Sequence, residues 1–373
     1  MKKILYIIND LDFFISHRLP LAIAAKKNNF DVYISSSPNI KSALLRRKYG
    51  INFIPIPISR SKKKILSELL LFISIFKVIF SLKPSILQLS TIKPLLYGGI
   101  ISRILKINLT VFSIGGLGHV FHGKGFFLKK IILFFFKFSL KKKNSAIFLQ
   151  NKSDFNYLNR FNVIKKKYVT FTKGSGVNLK KFIPLKKNNK KIIITMISRM
   201  SKEKGVLEFV EASKKFYKLR KNISFLLVGK FDGDGPSFIP LETLQKFNDK
   251  KVYPNLSWLG HKENVTKIMQ QSTIIVLPSY HEGVPKVLLE AAACGKPIIA
   301  TNIAGCRVVV ENNKNGILIK MKSPIAIINA IKNILSKSSK IDNMGKFSRL
   351  KASKEFDIKN VLKKYLKIYN SAI

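Results

Sequence analysis

Short runs of β-branched and aliphatic residues alternate with helical stretches along most of the chain, and this alternation limits the fold more than any other feature. Such alternation predicts parallel, doubly wound sheets covered by helices. Ligands of these sheets bind beyond the carboxyl ends of the strands, so functional residues are expected in the loops that follow them. The predicted strands are 3–8, 31–35, 52–56, 86–89, 109–113, 145–149, 192–197, 223–228, 256–259, 272–277, 298–301 and 317–320.

The chain has 373 residues, enough for two domains that each bury a core of their own. A glycine-containing turn at 174–178 and a charged run at 186–191 separate two strand–helix series, so the domain junction is expected there. We predict an N-terminal domain at 1–175, a second domain at 176–355 and a final helical segment at 356–373.

Basic residues far outnumber acidic ones: 68 Lys and Arg against 19 Asp and Glu give a formal net charge of +49. That charge favours anionic partners, such as phospholipid headgroups, a polyprenyl diphosphate or nucleic acid. No nucleic-acid-binding motif is recognisable, so a membrane surface is the favoured partner. The two cysteines fit a reducing compartment, and the apolar run after Lys2 and Lys3 is too short for a signal peptide.

The most unusual stretch is 278–297, whose sequence predicts a strand end, a loop, a short helix and a stop. Pro285 suits the first turn of the helix, and Gly295 suits the position just past its end. Glu282 lies at the helix start, and Glu290 interrupts an apolar surface where an ionised carboxylate needs a donor. Carboxylates for hydroxyls and a helix N-terminus for an anion suggest a nucleotide-sugar. The alternative is an exposed glutamate and a second one that is salt-bridged to a neighbour.

The segment EGVPKVLLEAAACGKPIIATNIAGC resembles the E-x7-E signature of glycosyltransferase family 4, whose members are retaining enzymes of the GT-B fold. The resemblance implies an α/β architecture of two Rossmann-like, doubly wound parallel-sheet domains that face a central cleft, with the last helix returning to the N-terminal domain. It implies that Glu282 holds the donor sugar with the N–H groups of the following turn, and that Glu290 holds the ribose hydroxyls. The further donor-binding residues implied are Gly283, Val284, Pro285 and Lys286.

A second motif of the same family, R-x4-KG, is matched by Arg199, Lys204 and Gly205. These residues follow the predicted strand 192–197, where the planar fork of arginine and the point charge of lysine can meet a diphosphate. In so basic a chain, generic surface charge is the alternative. The resemblance implies that Arg199 and Lys204 stabilise the departing diphosphate and are, with Glu282, the catalytic residues.

Two further candidates follow strands of the second domain. The resemblance places Gly229 and His261 around the nucleotide base, although a turn glycine and a surface histidine explain them equally well. We expect no metal and no other required cofactor, because no DxD motif stands at a strand end. The segment Asp232–Asp234 imitates that motif only weakly, within a glycine-rich turn.

Acceptor-side candidates belong to the N-terminal domain. A His-Arg pair lies at the start of a predicted helix 16–28, with Ser16 as its N-cap, and resembles the FxxHR stretch of transferases that act on lipid-linked glycans. A solvated helix face is the alternative. A glycine run at 115–118 resembles the GLG stretch that faces the cleft in the same group, although ordinary turns use glycine too. The candidates are His17, Arg18, Gly116, Gly118 and His119.

Two apolar stretches bear on membrane contact. The stretch 65–82 carries Glu68 and Lys77, so we predict a buried or interfacial helix instead of a spanning one. The stretch 126–143 combines lysines with phenylalanines and aliphatic residues, as interfacial anchors do. A core helix whose lysines extend outwards is the alternative.

The resemblance implies a retaining glycosyltransferase that moves a hexose or N-acetylhexosamine from a UDP-sugar to a polyprenyl-diphosphate-linked sugar in bacterial surface polysaccharide or glycan biosynthesis. The resemblance favours N-acetylgalactosamine transferases, peripheral on the inner face of the cytoplasmic membrane. Related chains often carry His where Gln88 and Ser90 stand, which weakens the acceptor assignment in that strand. The alternatives are a basic nucleic-acid-binding or scaffold protein and a GT-B enzyme that acts on soluble sugar nucleotides.

Overall fold

The computed structural model describes residues 1–58, 65–117, 126–140, 144–185, 191–220, 222–233 and 237–371. The chain divides into two compact units. The first unit contains residues 1–175 and 359–373, and the second contains residues 176–358. Each unit is a parallel sheet covered by helices, which confirms the predicted fold class of two Rossmann-like domains.

Seven parallel strands form the sheet of the first unit. They are β1 (Lys2–Ile7), β2 (Phe30–Ser36), β3 (Asn52–Pro55), β4 (Ile86–Ser90), β5 (Leu109–Ile114), β6 (Ser145–Leu149) and β7 (Val169–Phe171). Their order is β3-β2-β1-β4-β5-β6-β7, so the order reverses between β1 and β4. Every residue of β4 and β5 is buried, as expected for strands covered on both faces.

The described helices before the junction are α1 (Leu11–His17), α2 (Leu19–Lys27), α3 (Ser42–Tyr49), α4 (Ile65–Leu82), α5 (Ile92–Ile104), α6 (Phe126–Leu140) and α7 (Lys152–Arg160). The predicted single helix 16–28 with Ser16 as its N-cap is wrong. Asp10 caps α1 instead, because its carboxylate accepts hydrogen bonds from the N–H groups of Asp12 and Phe13. A new helix then begins at Leu19, with Pro20 in its first turn.

The second unit contains six parallel strands. They are β8 (Ile192–Ile197), β9 (Ile223–Val228), β10 (Leu256–Trp258), β11 (Ile274–Leu277), β12 (Ile298–Thr301) and β13 (Gly316–Ile319). Their order is β10-β9-β8-β11-β12-β13, which reverses between β8 and β11. Ligands of such sheets bind beyond the carboxyl ends of the two strands at this reversal. The loops after β8 and β11 are therefore the expected site.

Helices of the second unit are α8 (Val206–Leu219), α9 (Leu241–Lys246), α10 (Val265–Gln271), α11 (Lys286–Ala293), α12 (Ala304–Val309), α13 (Pro324–Leu335) and α14 (Ser338–Glu355). The end of α11 is the predicted one. Gly295 has a φ of 65°, and the N–H groups of Gly295 and Lys296 donate to the carbonyls of Ala292 and Ala291. This is a Schellman arrangement, which satisfies the last carbonyls of the helix.

The last helix, α15 (Ile358–Asn370), packs on the sheet of the first unit through Val361, Tyr365 and Tyr369. Its two tyrosines also join a buried chain of hydrogen bonds. The Tyr369 hydroxyl lies 2.8 Å from Gln88 Oε1 and 3.2 Å from the Tyr6 hydroxyl. Gln88 is fully buried in β4 and serves this packing.

Candidate active site

The loops after β8 and β11 meet at one edge of the second sheet. Because β8 and β11 are parallel neighbours, their carboxyl ends point the same way, although some 80 residues separate them in sequence. A short 3-10 helix, Lys202–Lys204, follows β8, and residues 278–285, called here the β11–α11 loop, follow β11. Side chains that are remote in sequence thus come into contact.

The clearest contact joins Lys204 to Glu282. Lys204 Nζ lies 2.7 Å from Glu282 Oε1, and both side chains are mostly buried. Gly205 makes this approach possible, since a Cβ there would lie 2.3 Å from the carbonyl oxygen of Pro278. Its φ of 77° is also a conformation that favours glycine. The close approach of Pro278 therefore explains why the R-x4-KG motif requires glycine at this position.

Arg199 lies at the same edge and contacts two carboxylates. Its Nη1 donates to Oδ2 of Asp232, and its Nη2 lies 3.4 Å from Oε1 of Glu203. Asp232 is buried and follows β9, the strand that pairs with β8 on its other side. In the sequence Asp232 stands only in an imperfect DxD motif, which does not indicate that it pairs with Arg199. Its position just past a neighbouring parallel strand was the available signal.

Glu290 lies in α11 and is paired within its own helix. Its Oε1 lies 3.2 Å from Nζ of Lys286, one turn earlier. Burial raises the pKa of Glu290, and the Lys286 charge only partly offsets that effect. The carboxylate thus has the donor that its apolar surroundings require. The alternative that Glu290 is salt-bridged to a neighbour describes this contact. The expected contact of Glu290 with the ribose hydroxyls stays a prediction.

The turn before α11 is tightly packed. A Cβ on Gly305 in α12 would lie 1.5 Å from the carbonyl oxygen of Gly283 and 2.6 Å from that of Glu282, so the loop backbone rests against glycine. Val284 is buried in the core of this unit, so its side chain faces inwards, and Pro285 immediately precedes α11. If Val284 contacts a donor, its backbone provides the contact.

The two residues expected to contact the nucleotide base are Gly229, which is partly exposed, and His261. Gly229 donates its N–H to the carbonyl of Gly260 at 2.9 Å and accepts from the Trp258 indole at 3.1 Å. A Cβ on Gly229 would lie 1.6 Å from the carbonyl oxygen of Ser198, so this glycine permits close packing of the strand exits. His261 is exposed just beyond Gly260. Their contact with a base stays a prediction.

The acceptor-side candidates lie in the first unit, and the structure separates them. His17 stacks on Phe13 with ring centroids 4.1 Å apart, and its Nδ1 lies 2.6 Å from Ser16 Oγ. Arg18 is only 4% exposed, and its Nη1 lies 3.3 Å from the Tyr365 hydroxyl. Its guanidinium is buried against α15, so the solvated-face alternative does not describe Arg18, and its acceptor-side role stays a prediction. Gly116 is partly exposed after β5, whereas Gly118 and His119 lie outside the described residues.

Within the described ranges, no group of three or more His, Cys, Asp or Glu side chains could hold a metal ion. Asp234, the second acid of the DxD-like segment, lies outside those ranges. The cations at the sheet edge, Arg199 and Lys204, are the groups placed to meet an anion there. Both already contact carboxylates, so an entering anion would compete with Asp232, Glu203 and Glu282.

Two family models together match most of the chain. The model for glycosyl transferases group 1 matches residues 178–351, and the glycosyl transferase 4-like model matches residues 3–151. The chain is a glycosyltransferase. The two matched segments correspond to the two sheets described above.

Curated relatives agree with this assignment, and a solved structure shares the fold. The glycosyltransferase is 29% identical to a Campylobacter jejuni protein, N,N'-diacetylbacillosaminyl-diphospho-undecaprenol alpha-1,3-N-acetylgalactosaminyltransferase, over 95% of each chain. It is 28% identical to an Escherichia coli UDP-Gal:alpha-D-GlcNAc-diphosphoundecaprenol alpha-1,3-galactosyltransferase, over 80% of this chain and 78% of the relative. The crystal structure of Anabaena HepE with UDP and glucose superposes with a TM-score of 0.78 at 15% identity, over 100% of both chains, and shows the shared fold.

Proposed function

We propose that this glycosyltransferase moves a hexose or N-acetylhexosamine from a UDP-sugar to a polyprenyl-diphosphate-linked sugar, with retention of configuration, in the synthesis of a surface glycan. The names of the Campylobacter and Escherichia relatives support the lipid-linked acceptor. The observation that carries the proposal is that Arg199 and the Lys204–Glu282 pair both lie in the loops after β8 and β11, the strands at the reversal point of the second sheet. This edge offers cations for a diphosphate and a carboxylate for sugar hydroxyls.

In the proposed reaction, the bond between the sugar anomeric carbon and the diphosphate oxygen breaks, and UDP leaves with the bonding electrons. Arg199 and Lys204 stabilise the negative charge that develops on the diphosphate. Because Lys204 contacts Glu282 at 2.7 Å before a donor binds, the donor diphosphate has to replace or share that contact. Glu282 is then available to accept hydrogen bonds from the donor sugar. The acceptor hydroxyl forms the new bond to the anomeric carbon, and its proton passes to the departing diphosphate.

We propose that this chemistry requires no metal ion, because the two cations can neutralise the diphosphate themselves. We further propose that Glu290 accepts hydrogen bonds from the ribose hydroxyls after its contact with Lys286 opens. Glu290→Gln is then expected to weaken UDP binding more than it changes discrimination between donor sugars.

The enzyme is further proposed to act at the inner face of the cytoplasmic membrane, where the lipid-linked acceptor would be located. Among the described residues, α4 is long and apolar enough to cross a membrane by length and composition, but only 17% of it is buried. Its buried residues Leu71 and Ile75 lie roughly opposite the exposed Leu69 and Ile73, at about 100° per residue. The outward face of α4 is therefore mostly apolar, with the exposed Lys77 as its cation.

Helix α6, in the stretch predicted as an anchor, has a similar outward face. Phe134 and Phe138 are 66% and 45% exposed, and Lys130 and Lys137 on the same helix are exposed too. Residues 141–143 of the predicted anchor lie outside the described ranges. An anionic lipid surface would match both the exposed apolar residues and the exposed lysines. A second copy of the chain would instead bring together two molecules that each carry a net charge of +49. We therefore propose peripheral contact through α4 and α6.

A transfer assay tests the proposed function. Purified enzyme would be mixed with an undecaprenyl-diphosphate-linked sugar and, in parallel, with UDP-, GDP- and ADP-linked hexoses and N-acetylhexosamines. We expect product only with a UDP-sugar, with unchanged yield in EDTA and with the donor's anomeric configuration in the product by NMR. Product from a soluble acceptor alone would favour an enzyme of soluble sugar nucleotides, and salt-dependent DNA binding without transfer would favour the scaffold alternative.

A further inference from the structure

Tyr280 fastens the β11–α11 loop to the start of α8. Its backbone N–H donates to the carbonyl of Glu203 at 2.8 Å, and its hydroxyl donates to Oε1 of Glu208 at 2.5 Å. Tyr280 stands two residues before Glu282, and Glu208 lies in the first turn of α8. These bonds therefore link the two chain segments whose side chains meet as Lys204 and Glu282.

Glu208 depends on this contact. In the described part of the chain, its second oxygen, Oε2, is buried without a hydrogen-bond partner. A buried carboxylate that loses its donor is costly, so the Tyr280 hydroxyl stabilises Glu208 as well as the loop. Burial, together with the neighbouring Glu208, raises the pKa of Tyr280, which keeps its proton available for donation.

A second contact holds the aromatic ring itself. Nζ of Lys322 lies 5.1 Å from the centroid of the Tyr280 ring, within the range of a cation–π contact. Lys322 follows β13, so the ring is held from a third segment of the same unit. The side chain of Tyr280 is thus fixed at both its hydroxyl and its ring face.

We propose that Tyr280 is a positioning residue, and that its hydrogen bond to Glu208 holds the β11–α11 loop in the conformation that sets Glu282 beside Lys204. The expected effect on catalysis rests on the proposed function, whereas the effect on the loop does not. Without the bond, the loop occupies other conformations for part of the time. A donor then binds with an affinity reduced by the fraction of competent molecules.

The central variant is Tyr280→Phe, which keeps the ring and removes the hydroxyl. We expect KM for the donor to rise about tenfold, equivalent to about 1.4 kcal/mol, with kcat within about twofold of wild type. We expect KM and kcat to respond differently because a bound donor restores the loop conformation before chemistry occurs. The variant then weakens binding of the ground state and of the transition state equally. A residue that touched the reacting atoms would lower kcat instead.

Variants of Glu208, the hydrogen-bond partner of Tyr280, separate a positioning role from a general loss of stability. Glu208→Gln keeps an oxygen that accepts from Tyr280, so we expect it to stay within about threefold of wild type, whereas Glu208→Ala should match Tyr280→Phe. The double variant Tyr280→Phe/Glu208→Ala should lose little more than either single change, since both remove one bond. Glu211→Ala is the matched control, because Glu211 is exposed on the same helix and pairs with Lys215.

Hydrogen–deuterium exchange on the ligand-free protein tests the loop directly and needs no substrate. In Tyr280→Phe we expect faster exchange of amides 281–284 and unchanged exchange of the strand amides of β8 and β12. Unchanged loop exchange would overturn the proposal even if KM rose. Faster loop exchange in a protein that binds no nucleotide-sugar would support the loop role and count against the proposed function. A fall in kcat at constant KM would overturn the positioning role.

Discussion

Replacing Lys204 by alanine tests how the candidate site uses its charges. In the wild-type protein Lys204 Nζ is 2.7 Å from Glu282 Oε1, with side-chain exposures of 17% and 13%. The variant removes the cation proposed for the diphosphate and leaves Glu282 largely buried without that partner. Two separate consequences are therefore expected, one in stability and one in activity.

The stability loss is expected to be about 2–4 kcal/mol, near the range for removing one member of a buried pair and lowered by the remaining exposure. The loss of transfer is expected to be larger than stability explains. Preorganised groups that stabilise developing charge contribute about 10²–10³ in kcat each, so activity should fall at least that far while the protein stays folded.

The assay measures UDP release and product formation at saturating donor, with urea unfolding of the same preparations. Lys202→Ala is the matched control, since Lys202 is exposed in the same short helix. The double variant Lys204→Met/Glu282→Gln removes both charges and should recover most of the stability but none of the activity. A turnover within about threefold of wild type in Lys204→Ala would refute the diphosphate role.

Three further predictions concern other parts of the molecule. Glu290→Gln should be more stable than wild type near pH 7 but not near pH 4, because burial raises the Glu290 pKa. The native state then holds that proton more tightly than the unfolded state, and wild-type stability falls as pH rises; urea unfolding at both pH values checks this. Tyr369→Phe should lower the free energy of unfolding by about 1–3 kcal/mol, since buried partners lose a hydrogen bond; equal unfolding midpoints would contradict it. Ile73→Glu should lose binding to anionic vesicles in sedimentation assays, whereas Ile40→Glu, on another exposed surface, should bind as wild type.

The alternation of strands and helices predicts every strand of both sheets except the three-residue β7, because buried parallel strands are short apolar runs that few other structures require. The strand boundaries predicted for β6, β8, β9 and β12 are those observed. The start of α1 was missed because a periodicity argument does not weigh N-cap residues, although Asp is a preferred residue at that position.

Contacts between distant residues were harder to predict. Lys204 and Glu282 could be paired only through the family resemblance, and their actual bond follows from the parallel pairing of β8 with β11. The position of Asp232 after β9 was a signal for its pairing with Arg199, but the contact itself also depends on the path of the loop after that strand. The burial of Arg18 likewise depends on α15, some 340 residues away in sequence. Local sequence carries little information about such long-range packing.

The central claim is that the loops after β8 and β11 bind the diphosphate of a nucleotide-sugar. Titration calorimetry of UDP into wild type and Arg199→Ala, in buffer with EDTA, tests it most directly. We predict one UDP site per chain in wild type and at least a tenfold weaker Kd, about 1.4 kcal/mol, in a folded Arg199→Ala variant. Equal UDP affinity in the two proteins, or no UDP binding by wild type, would contradict the claim.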